Sequence, residues 1–185
     1  MLRYFVGFLI TIGLIIILII MIFGGGGSKS KVPTTTRTLN SYANTDAQAQ
    51  LIIDGPINAA QNHIEVQITV GQDSTTFQQL QGYDGSVVRQ QTFTNSQAGY
   101  AVFLHALTLA GFTKGNTAVS SDERGYCPLG DRYIFKFSQE DRTIERFWAT
   151  SCGNPKTYLG NVSLTLSLFQ AQVPGYIALT DGLQF

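Results

Sequence analysis

Histidine and cysteine are scarce in this chain, with two of each in 185 residues. His63 and His105 lie far apart and the acidic residues are scattered. The clustered ligands that a zinc or calcium site requires are therefore missing, and no metal or cofactor is expected. The glycine run Gly24–Gly27 comes after an apolar segment rather than a strand, so it does not read as a phosphate-binding loop. No G-x-S-x-G segment occurs, which removes the usual serine-hydrolase signature. Cys127 as a nucleophile would need a histidine beside it. His105 falls inside a predicted helix and His63 at the start of a predicted strand, both ordinary structural places. No catalytic residue is assigned, and an enzyme is not the expected reading.

Charge is also sparse. From Leu39 onward there are eight Lys and Arg against twelve Asp and Glu, a net of −4. Nucleic acid, whose phosphates demand a basic face, is excluded as a partner. The polar surface is built instead from Gln, Thr, Asn and Ser. Fifteen glutamines against five lysines is a balance more familiar on cell-surface proteins.

Between Arg3 and Lys29 charge is absent altogether. Tyr4–Phe23 is twenty residues long, broken only by Gly7, Thr11 and Gly13. At about 1.5 Å per residue a helix of that length spans the ~30 Å hydrocarbon core of a bilayer. It exceeds a cleaved export signal, and no A-x-A lies directly after it in Gly24–Gly27. Residues 1–23 are therefore expected to be an uncleaved transmembrane anchor that meets the lipid bilayer through Tyr4–Phe23. Lys29, Lys31 and Arg37 outnumber Arg3, which read alone favours the opposite orientation. The three-residue head and the exported character of the downstream domain lead to an N-terminus in the cytoplasm and a domain outside. Residues 24–38, rich in Gly and Thr and interrupted by Pro33, read as a flexible linker. Residues 39–185 read as one extracytoplasmic domain.

Two cysteines in an oxidising compartment predict one disulfide, Cys127–Cys152. The segments Asp131–Phe137 and Arg142–Ala149 both read as strands, and Ser138–Asp141 as a four-residue hairpin loop. In that register Phe137 faces Arg142, and continuing it brings Cys127 opposite Cys152. A slip of a residue or two would still leave both cysteines at the open end of the hairpin.

Elsewhere the periodicities predict an antiparallel sheet with one or two helices on a face, an α+β domain. Residues 39–47 hold a short helical turn. Gln48–Ile57 is a strand stopped by Asp54-Gly55-Pro56. His63–Gly71 alternates, with Ile64, Val66, Ile68 and Val70 on one face and Glu65, Gln67 and Thr69 on the other. "STTFQQLQGY" is its hairpin partner, and "VVRQQTF" is a further strand. Ser96–Ala110 reads as a mostly buried helix, with Asn95 or Ser96 as cap and Gly111 as stop. The segment after Asn161 fits strand or helix, with helix preferred and Pro174 ending it. "YIALTDGLQF" is expected to be a final strand. For binding, Arg142, Glu145, Arg146 and Trp148 share one hairpin and are candidate contacts for an anionic or sugar ligand, with an extracellular protein or glycan as the candidate partner. Cross-strand charge pairing under an aromatic lid is their ordinary role.

The anchor, the Gly/Thr linker, "AGYAVFLHALTLAGFTKG" (Ala98–Gly115), "RFWATSCG" (Arg146–Gly153) and "LFQAQVPGY" (Leu168–Tyr176) together resemble small single-pass bacterial membrane proteins of unassigned role. The resemblance implies location and adds nothing on mechanism. The sequence supports three readings. The first is a membrane-anchored extracytoplasmic binding or structural module. The second is a pilin-like filament subunit, with Gly7 before Phe8 as a leader junction but Ile12 where major pilins carry glutamate. The third is an exported enzyme.

Overall fold

The structure is a computed structural model that describes residues 38–183. The proposed anchor, nearly all of the linker and the last two residues lie outside them. The described residues belong to one compact unit, Arg37–Phe185. Among the described residues no helix is long and apolar enough to cross a membrane.

A short 3-10 turn, Leu39–Tyr42, opens the domain. Four strands come next as successive antiparallel neighbours: β1 (Gln48–Asp54), β2 (Ile64–Val70), β3 (Ser74–Gln81) and β4 (Ser86–Thr94). Helix α1 (Gln97–Ala110) succeeds them, and then a long connection over residues 111–131. The hairpin β5 (Arg132–Gln139) and β6 (Arg142–Thr150) adds to the free edge of β1, giving one six-stranded sheet in the order β4-β3-β2-β1-β5-β6. Helices α2 (Val162–Gln170) and α3 (Tyr176–Thr180) close the chain. The α+β expectation, with an antiparallel sheet and packed helices, holds for this domain.

Alternation decides which face meets the helices. Ala49, Leu51, Val66, Ile68, Val70, Phe77, Phe135 and Phe137 point to one face and are almost wholly buried. Tyr100, Phe103, Leu104 and Leu107 of α1 and Phe169 of α2 cover them. Phe103 and Phe169 meet edge to face at 5.2 Å. Fully burying one such ring contributes about 1.5–3 kcal/mol. The Tyr100 hydroxyl enters the core with its ring and donates to Ala47 O at 2.6 Å, so burial costs no unpaired polar atom. The opposite face of β1–β4 carries a ladder of Gln and Thr. Gln50 donates to Gln67 and Thr69 at 3.2 Å, and Gln78 donates to Gln90 at 2.8 Å. Gln48, Gln50, Gln67, Gln78 and Gln90 lie there.

Local chemistry sets the helix boundaries. Ser96 Oγ accepts from Gly99 N at 3.1 Å and starts α1. Gly111, at φ +81°, ends it in the left-handed conformation that glycine adopts freely. α1 is buried along one face only, through Tyr100, Phe103, Leu104, Leu107 and Ala110, and is not the mostly buried helix expected: Val102 and Leu109 are 70% and 73% exposed. Asn161 caps α2 through Leu164 N at 3.0 Å.

Two further expectations are corrected. Tyr176–Thr180 is a helix and not a final strand. One helical turn places both Tyr176 and Leu179 on the core, with Tyr176 edge-on to Phe77, whereas a strand would turn them to opposite faces. The β5–β6 turn has two residues, Glu140 and Asp141, rather than four, and Phe137 pairs with Glu145 rather than with Arg142. An irregularity between Phe137/Ser138 and Glu145/Thr143 leaves Ile144 as the extra residue of a bulge, which shifts the register.

Candidate functional site

The cysteines meet despite the changed register. Beyond the strand ends the chain turns on both sides, with Gly130 N donating to Cys127 O at 3.1 Å and Gly153 N to Thr150 O at 3.2 Å. These turns bring the two Cα atoms to 5.8 Å, and Cys127 and Cys152 are disulfide-bonded.

The four candidate contacts on the hairpin do not form one surface. Arg142 is exposed at the turn. Glu145 pairs with Phe137, and therefore lies on the helix-covered face, where burial pushes its carboxyl above the ordinary range. Arg146 and Trp148 lie on the outer face and hold the 111–131 connection down. Trp148 is fully buried, stacks on Tyr126 at 4.9 Å and donates from Nε1 to Ser120 O at 2.9 Å. Arg146 donates to Ser121 O at 2.5 Å and to Glu123 Oε2 at 2.6 Å. With the disulfide these contacts clamp the connection across β5 and β6.

The clamped connection forms one wall of a cavity of about 400 Å³, within the usual range for small-molecule sites. Its floor is a single cross-strand row on the outer face of the sheet. Leu80 of β3 faces Glu65 of β2, Glu65 faces Asp54 of β1, and Asp54 faces Arg132 of β5. Ile57 and His63 from the β1–β2 connection form a second wall. Tyr83, in the β3–β4 turn, forms a third and stacks on the His63 ring at 4.1 Å.

Asp54 is the hub. Its Oδ2 accepts from Arg132 Nε at 2.8 Å, and its Oδ1 lies 3.2 Å from His63 Nε2. Arg132 Nη2 donates to Gly55 O at 2.6 Å. His63 Nδ1 lies 3.2 Å from Pro56 O, so both ring nitrogens face acceptors.

Two groups of the floor are incompletely used, one lining the cavity and one sealed within the protein. Glu65 accepts from Gln67 Nε2 at 2.5 Å, and among the described residues no cation lies within ion-pair distance of it. Burial pushes its carboxyl above the ordinary range and the Asp54 charge adds to this, while the Gln67 hydrogen bond and His63 oppose it. Arg132, only 3% exposed, has a buried Nη1 with no partner. Among the described residues no group of three His, Cys, Asp or Glu side chains is arranged to hold a metal ion.

Segment-by-segment patterns do not reveal this row. Locally, Asp54 is a turn residue and His63 the start of a strand. The available signal is that both flank the same β1–β2 connection, with Glu65 two residues on. Arg132 is 78 residues from Asp54, and nothing local ties them. No protein-family model matches the chain, and no curated protein is significantly similar to it.

Proposed function

We propose that the protein is a membrane-tethered extracytoplasmic binding module. In this reading Tyr4–Phe23 is the uncleaved anchor, the N-terminus is cytoplasmic, and the cavity above Glu65, Asp54 and Arg132 is the ligand site. The observation that carries it is that cavity, with a fixed polar floor and apolar walls of Ile57, Leu80 and Tyr83. Asp54 and His63 are engaged with each other and with Arg132 and Pro56 O, which favours holding a ligand over transforming one. The disulfide supports an oxidising compartment. The uncharged twenty-residue segment and the Gln-rich, net-negative domain support a tether on the outer side.

The experiment combines extraction with topology. Full-length protein is expected to stay with membranes through alkaline carbonate and high-salt washes, because hydrophobic burial rather than charge holds it. Protease added to intact spheroplasts is expected to remove the domain. Release by either wash defeats the anchor, and digestion only after lysis reverses the orientation. Sequencing the mature N-terminus separates this reading from the pilin-like one: Met1 supports the anchor, and N-methylated Phe8 a pilin.

A further inference from the structure

We infer that the cavity over Glu65 and Asp54 binds a primary alkylammonium group, carried by a small aliphatic amine or by a lysine side chain. The inference rests on reading that cavity as the ligand site, and it names the ligand class.

The attachment point is an open carboxylate oxygen. Glu65 lines the cavity and is half-buried. Its Oε1 accepts from Gln67 Nε2 at 2.5 Å. Its Oε2 has no hydrogen-bond partner among the described residues and, in contrast to Arg132 Nη1, is not sealed away from solvent. Directly opposite Glu65, across the β1–β2 pair, stands a second carboxylate, Asp54. Residues so placed hold their Cβ atoms about 4.5–5.5 Å apart, and like charges there repel. Arg132 and His63 compensate Asp54. Nothing among the described residues does the same for Glu65, and a half-buried carboxylate without a counter-ion is costly. An ammonium on Oε2 supplies a charge-assisted hydrogen bond and offsets the repulsion from Asp54.

The rest of the cavity selects among cations. Ile57 and Tyr83 are 48% and 56% exposed beside the nearly buried Leu80, an apolar surface for a short aliphatic chain. Calcium and magnesium ions take about six or more oxygen ligands, and among the described residues no group of three ligating side chains is arranged for a metal. A quaternary ammonium has no N–H for Oε2. The aromatic faces it prefers are used on each other here, with Tyr83 stacked on His63 at 4.1 Å. An anion would meet two carboxylates, while the arginines of the lining are already engaged: Arg132 by Asp54 and Gly55 O, and Arg124 by Asp122 at 2.6 Å.

The same geometry makes binding pH-dependent. The charged and titratable groups around Glu65 are Asp54 on β1, His63 and Tyr83 in the connections, Arg132 on β5, and Glu123 and Arg124 on the clamped wall. Burial and Asp54 favour the protonated carboxyl in the empty cavity, and an ammonium favours the ionised one. Affinity therefore rises as pH increases through the Glu65 titration, and falls only where the amine itself loses its proton, at about pH 10.

The test is calorimetry on the full chain in detergent, with n-butylamine, Nα-acetyl-L-lysinamide, n-butyltrimethylammonium, n-butanol and butyrate as probes. Butylamine is expected to bind at one site per chain, at least tenfold more tightly than butanol, butyrate or the quaternary ammonium. Equal binding of acetyl-lysinamide assigns the site to lysine side chains, and its failure to bind assigns the site to small free amines; both support the inference. Glu65→Gln is expected to weaken butylamine at least tenfold and to flatten the pH dependence, with melting temperature retained or raised. Butanol or butyltrimethylammonium binding as tightly as butylamine, or butylamine indifferent to Glu65→Gln, overturns the inference. If that variant does not fold, the parent protein decides: butylamine affinity that is flat from acid to neutral pH overturns the inference, as does absence of butylamine binding. Butyrate binding in place of butylamine also overturns it while leaving the binding-module reading standing. Membrane extraction and topology are measured separately, so failure of the tether is distinguishable from failure of the ligand class.

Discussion

Arg132 Nε donates to Asp54 Oδ2 at 2.8 Å, joining residues 78 positions apart across the β1–β5 pair. Only 4% of the arginine side chain and 23% of the aspartate side chain are exposed. Asp54→Ala would leave Arg132 and His63 facing an empty hub. Removing one partner of a buried pair costs about 3–5 kcal/mol, much of it from the charge left behind. Chemical denaturation should show a loss of that size. The double variant Asp54→Ala, Arg132→Met should lose less than the two single losses added together, because neither charge is then stranded. Additive losses would show that the pair is not coupled.

Glu65 gives a prediction with a defined sign. Its carboxyl is raised in the fold above the ordinary value of 4.5. A raised folded value means stability present below the unfolded value and lost as pH climbs through the folded one. Glu65→Gln keeps the acceptor for Gln67 and removes the charge. It should melt above the parent protein at pH 7, with the difference vanishing at acid pH below the unfolded carboxyl value. Asp131 and Glu145 are raised by burial too, but they are common to both proteins and cancel. Lower melting at pH 7 would contradict the account.

Glu140 opens the β5–β6 turn at φ +50°, a left-handed backbone that glycine adopts without the side-chain penalty. Glu140→Gly should stabilise the domain by up to about 1 kcal/mol. Thermal unfolding measures it, and a lower melting temperature would count against the turn geometry.

Some of this architecture is legible in local sequence and some is not, for physical reasons. The strict alternation from Ile64 to Val70 and the Ser96 and Gly111 boundaries of α1 are local signals, and β2 and α1 form where those signals put them. The β5–β6 register departs from the simple hairpin because a bulge and a turn built on Glu140 leave no strong mark in composition. "YIALT" is too short for its period to separate strand from helix, and tertiary contact of Tyr176 and Leu179 decides it. Arg146 and Trp148 stand out in the sequence as charged and aromatic. The structure uses them to hold down a cavity wall, while the floor combines residues from β1, β2, β3 and β5 that only the sheet order brings together.

The disulfide links the proposed location of the domain to its architecture. Cys127 and Cys152 are 25 residues apart and help to clamp the 111–131 connection that walls the cavity. Chain-entropy arguments give such a loop about 3 kcal/mol of stabilisation. Cys127→Ser, Cys152→Ser and the double variant should therefore melt earlier by similar amounts, the double no worse than either single. The most direct measurement is the thiol state in protein taken from its own cells, blocked with maleimide under native conditions and weighed intact. An exported, clamped domain predicts no mass tag before reduction and two after it. Two tags on the unreduced protein would contradict the account.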